Sequence, residues 1–124
     1  MAKAVPDAML DAAFDWLDQA NLQVVCSAQP TTYTEATSTY ALADVAMTVN
    51  TDYTKANGDT SGRKVTVAAK SGVTVDASGT ATHLALVSSG DSTLRYVTTC
   101  TSQVLTAGNT VNIPAWDVEI ADPT

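Results

Sequence analysis

One histidine, two cysteines and a regular row of aspartates are the residues whose chemistry has to be weighed first. Cys26 and Cys100 lie far apart and match no zinc or redox spacing such as C-x-x-C. Each stands in a strand-like run, where a free cysteine behaves as a small apolar side chain. Two buried thiols are expected over a disulfide, because the start of the chain lacks the apolar run of an export signal. Pairing stays open should the two strands lie side by side. His83 sits in Thr82-His83-Leu84-Ala85-Leu86, on the opposite side of the alternation from Leu84 and Leu86. A triad or dyad would need a nucleophile and an orienting carboxylate beside it, and no Gly-x-Ser-x-Gly elbow occurs. A packed or surface histidine is the expectation.

The carboxylates are equally plain. Glu35 is isolated in a loop, and Asp117 and Glu119 alternate with apolar residues on the outer face of a strand, so no acid pair suited to glycoside hydrolysis is apparent. The stretch from Asn50 to Asp59 offers oxygen ligands to calcium but lacks the EF-hand glycine and terminal glutamate, and it reads as a turn-rich loop. No glycine-rich phosphate cradle follows a strand and opens a helix. We therefore expect no catalytic residues, no metal ligands, no cofactor and no enzymatic activity. Tyr33 and Tyr40, in a Thr-rich polar segment, form the one stretch with the look of a recognition surface; capping a small core is the equal alternative.

The elements that must position these residues change abruptly at Asn21. Before it, Leu10, Ala13, Phe14 and Leu17 fall at i, i+3, i+4 and i+7, with Met9, Trp16 and Ala20 widening the apolar face of a helix. Pro6 suits the first turn, Asp7 and Asp11 the positive end of the dipole, and Asn21 a stop. Asp7, Asp11, Asp15 and Asp18 form a stripe along this helix, where like charges cost a few tenths of a kcal/mol per pair. Solvent and the dipole, or a basic partner surface, offset that repulsion. The apolar face is broad for one short helix, so Met9, Leu10, Phe14, Trp16 and Leu17 are candidate assembly contacts.

After Asn21, short runs separated by turn residues predict an antiparallel β-sandwich or barrel-like domain, mainly β with one N-terminal α-helix. Strands are expected over 22–28, 43–49, 53–55, 63–69, 73–76, 80–88, 93–101, 111–113 and 116–121, with Gln29 to Tyr40 irregular or holding a short edge strand. Lys70-Ser71-Gly72 and Ala77-Ser78-Gly79 are expected to turn successive hairpins. In the last strand Trp116, Val118 and Ile120 should face inward, and Pro114 should mark an edge, a bulge or a crossing between sheets. The organisation is a helical appendage over 1–21 and a β-domain over 22–124, within the size of one domain.

Thirteen acids against six bases give a net charge of −7, which repels nucleic acid. Lys55, Arg63, Lys64 and Lys70 are interspersed with acids and read as a solvated face. No apolar run reaches the roughly 20 residues of a membrane span, so neither nucleic acid nor membrane is an expected partner.

Three stretches also carry a resemblance: Val25-Cys26-Ser27-Ala28-Gln29-Pro30-Thr31-Thr32-Tyr33, Gly62-Arg63-Lys64-Val65-Thr66-Val67-Ala68-Ala69-Lys70, and the run from Ala107 to Asp117. Together they resemble small virion structural proteins of tailed bacteriophages and of prophages of proteobacteria, over nearly the whole chain and without a functional motif. The resemblance implies a non-enzymatic capsid decoration or cement protein assembled in the host cytoplasm. Its partners would be the major capsid protein and further copies of itself. A tail or neck component is the alternative, and a carbohydrate- or receptor-binding sandwich using Tyr33 and Tyr40 is another. Both chain ends, Met1 to Val5 and Ala121 to Thr124, would then be held by neighbouring subunits.

Overall fold

The computed structural model describes residues 5–121, so the expectation about the chain ends falls almost entirely outside the described residues. Helix α1 spans Asp7–Leu17 and is followed by nine strands: β1 Leu22–Cys26, β2 Ala41–Ala46, β3 Tyr53–Asn57, β4 Arg63–Val67, β5 Lys70–Thr74, β6 Gly79–Ser88, β7 Thr93–Leu105, β8 Thr110–Ile113 and β9 Trp116–Ile120. All pairings are antiparallel. A four-stranded sheet in the order β2-β1-β6-β7 faces a three-stranded sheet β3-β4-β9 and a two-stranded ribbon β5-β8. The chain is thus mainly β, a sandwich-like antiparallel fold with one N-terminal helix.

Alternation along β1 explains the layering. Val25 and Gln23 point to the inner face, while Val24 and Cys26 point outward. The inner face feeds two clusters. One joins Phe14, Leu17 and Ala20 to Tyr53, Val65, Val67, Leu86 and Val118; the other joins Val25, Leu42, Val73, Leu84, Leu105 and Ile113. The outer face is not left to solvent, because the segment before β2 folds across it. There Ala36 packs with Val24, Cys26, Ala85 and Val87. This segment, expected to be irregular, contains a π-helical turn over Glu35–Thr39. Glu35 anchors it by accepting from the Thr31 amide at 2.8 Å and the Thr31 hydroxyl at 2.6 Å, and these bonds hold its carboxyl below the usual range.

Several expectations need correction. The helix is not an appendage: Leu10, Phe14 and Leu17 are buried, and the latter two belong to the central cluster. It ends at Leu17, and Asn21 instead opens the sheet, donating to the Val87 carbonyl while its own carbonyl accepts from Met47. The 63–69 and 73–76 runs do not form a hairpin. Lys70-Ser71-Gly72 lies within β5, which pairs with the distant β8 and carries an irregularity between Lys70 and Val73. In β9, Val118 is buried and Ile120 is exposed. The β3–β4 hairpin closes through Gly62 at φ +72°, where a Cβ would stand 1.9 Å from the Ile120 carbonyl oxygen, so only glycine fits.

Candidate functional site

The charged residues come together first. Lys55, projecting from β3, contacts the carboxylates of Asp15 and Asp18, the latter at 3.1 Å. Arg63 on β4 donates to Asp11 at 2.9 Å. The basic surface that the acid stripe of α1 requires is therefore supplied by the protein's own three-stranded sheet. Arg95 on β7 donates to the Trp16 carbonyl at 2.9 Å, bonds the Ser88 hydroxyl and stacks on the Trp16 ring, placing a cation at the negative end of the helix. Lys64 pairs with Asp59 and Lys70 with Asp52. Each lysine and arginine among the described residues has a carboxylate partner. Asp52 and Asp59, weighed above as calcium ligands, are engaged in these pairs.

The thiols and the histidine are brought into an arrangement that the sequence did not reveal. In the ladder β1-β6-β7, Cys26 stands opposite His83, and His83 opposite Thr99. A cysteine beside a histidine could form a nucleophilic dyad. Here the Cys26 thiol is fully buried, donates to the Ala36 carbonyl at 3.5 Å, and is pushed up to about 11 by burial and by nearby Cys100. It stays protonated at neutral pH and is a poor nucleophile. The imidazole Nδ1 is 2.8 Å from the Thr82 hydroxyl. Cys100 packs against the inner cluster and Cys26 belongs to the outer one, with β6 between their strands; both are free. Opposite faces of a sheet are incompatible with a disulfide.

Of the five helix residues named as assembly contacts, Leu10, Phe14 and Leu17 are consumed by the chain's own core. Met9 is 67% exposed and Trp16 51%. Tyr33 and Tyr40 are half-buried and pack against the outer cluster, which is the capping role. They do not form an exposed aromatic platform.

A more enclosed concave feature lies elsewhere among the described residues. Where β7 ends the large sheet and β8 and β9 end the facing layers, the sandwich opens into a mainly apolar cleft of about 450 Å³ lined by Leu84, Cys100, Leu105, Ile113 and Trp116 among others. Trp116 is fixed there: its ring stacks on Tyr96 at 5.9 Å, and its Nε1 donates to the buried Gln23 Oε1 at 2.8 Å. No residue between Arg95 and Asp117 carries a charge, and that interval supplies β7 and β8 together. The outer half of β7, from Thr99 to Val104, is largely exposed, and Val104 is 77% accessible. Sequence reasoning missed this site although the uncharged interval was visible in it; the interval was divided among separate strands.

Fold and site together define an antiparallel β-sandwich closed by a helix, with a mainly apolar cleft along one edge. No protein-family model, no curated protein and no solved structure matches the chain.

Proposed function

We propose that this chain is a non-catalytic structural protein of a bacteriophage particle, a capsid decoration or cement protein that stabilises the shell through subunit contacts. The observation that carries the reading is the mainly apolar cleft beside the uncharged strand edge that follows Arg95, set in a body whose cations are all paired internally among the described residues. Such a surface offers backbone hydrogen bonds and apolar area, the materials of a protein interface. The sequence resemblance supplies the particle.

Adding purified protein to expanded capsids that lack it tests the reading by co-sedimentation. Saturable binding at a stoichiometry set by the capsid lattice is expected, together with the same copy number in purified particles by quantitative mass spectrometry. No binding and no presence in particles would overturn it, and a copy number of only a few per particle would place the protein in the tail or neck. Tyr33 and Tyr40 cap the outer cluster, so no observation favours the sugar-binding reading.

A further inference from the structure

The sandwich has several strand edges, and they are not treated alike. The outer edge of β2 is covered: the Asp76 and Ala77 amides donate to the Leu42 carbonyl at 2.7 and 3.1 Å, and Ala43 bridges Val75. Edge strand β3 carries Lys55 at its centre, engaged with the helix. Edge strand β9 carries Asp117 and Glu119, and Pro114 separates it from β8. These are the usual devices that stop a sheet from growing: a cover, a charge or a proline.

Beyond Arg95, strand β7 has none of them. It is the longest strand, thirteen residues, and it ends the four-stranded sheet. From Tyr96 to Val104 it contains neither charge nor proline, and among the described residues no segment other than β6 hydrogen-bonds to it there. Its outward amides and carbonyls are thus a free template for another strand. Thr98, Thr99, Thr101 and Ser102 add hydroxyls, which pair favourably across strands.

Resting on the contact-surface reading above, we propose that β7 pairs antiparallel with β7 of a second copy, joining two four-stranded sheets into one continuous sheet across a two-fold axis. Charge selects this occupant. Two copies that each carry −7 repel over most of their surfaces, and the interval between Arg95 and Asp117, the longest uncharged run of the sequence, lets an edge strand meet its copy without like charges opposed. Antiparallel pairing of one segment with itself is self-complementary and closes at a dimer, so the edge is used up instead of templating a fibre. The same pairing covers Val104, the most exposed large apolar side chain among the described residues.

Analytical ultracentrifugation of the full chain over a concentration series tests this, with hydrogen exchange read at the β7 amides. A dimer is expected whose Tyr96 to Val104 amides gain protection as it forms. Val104→Lys places a charge on the edge, and Thr101→Pro disrupts its pairing surface. Each should raise the dimer dissociation constant about tenfold or more, the scale of one or two lost hydrogen bonds. Circular dichroism confirms folding, and Val104→Lys alone decides if the proline variant does not fold. A chain that stays monomeric, or a dimer indifferent to Val104→Lys, overturns the proposal. So does a monomer whose β7 amides become protected only on capsid binding, since another protein's strand then occupies the edge. A β7 dimer that never enters particles would leave this inference standing and remove the virion reading, and capsid binding by a monomer would do the reverse.

Discussion

Gln23 shows how a single polar side chain is made acceptable inside this sandwich. It is fully buried on the inner face of β1, accepts from Trp116 Nε1 at 2.8 Å and directs its amide at the Met47 sulfur at 3.7 Å. Removing one partner strands the other without water. Trp116→Phe is therefore expected to lower unfolding stability by about 1–3 kcal/mol in urea titration, while a Gln23→Met and Trp116→Phe double variant recovers most of the loss because no orphaned group remains. The two thiols separate just as clearly. Iodoacetamide at mildly alkaline pH should modify Cys100, which lines the cleft, and should reach Cys26 only after unfolding, since burial both shields that thiol and pushes it up to about 11. Mass spectrometry of the labelled chain, native against denatured, checks this; equal labelling of both in the native state would contradict the geometry.

At the scale of elements, the helix is where the composition of the chain misleads. Its apolar residues divide by burial into Leu10, Phe14 and Leu17 on the inside and Met9 and Trp16 on the outside. Phe14→Ala empties a site in the central cluster and should cost about 3–5 kcal/mol. Trp16→Ala removes an exposed ring and its stacking on Arg95, worth about 0.5–1 kcal/mol. Thermal or urea unfolding of the two variants distinguishes a core helix from a detachable handle, which would predict similar small losses for both. The expected ratio follows from burial alone. Strand β5 makes the parallel point: Lys70-Ser71-Gly72 has turn chemistry, yet pairing with β8 draws it into a ribbon because Val73 has a place in the second cluster.

For the whole molecule, acids dominate the charge, and several are tied into the fold. Asp52 accepts from the Thr48 amide and pairs with Lys70, which together hold its carboxyl below the usual value of 3.8. The folded state therefore binds this proton more weakly than the unfolded chain does. The corresponding stability is present above the unfolded carboxylate range and is lost as pH falls through the lower folded value. Urea midpoints should decline as pH drops below about 4. In Asp52→Asn the midpoint should be lower at neutral pH, and its fall in acid shallower.

Much of the architecture was legible in one dimension. The helix period, the alternation around Val65 and Val67, and the turn residues at Gly58 to Gly62 are local signals, because side-chain direction along a helix or strand repeats every few residues. Local signals carry no information about which strand meets which. Only the folded chain places Lys55 and Arg63 against the acid stripe, sets Cys26 opposite His83 while turning Cys100 to the other face, and buries Gln23 beside Trp116. These contacts join residues tens of positions apart, and their pairing depends on the order of strands in the sheets. The cleft belongs to the same class. The lack of charge along its β7 edge was written into the interval from Tyr96 to Trp116, but an edge exists only after every other strand has found its neighbours, and that is decided by packing in three dimensions.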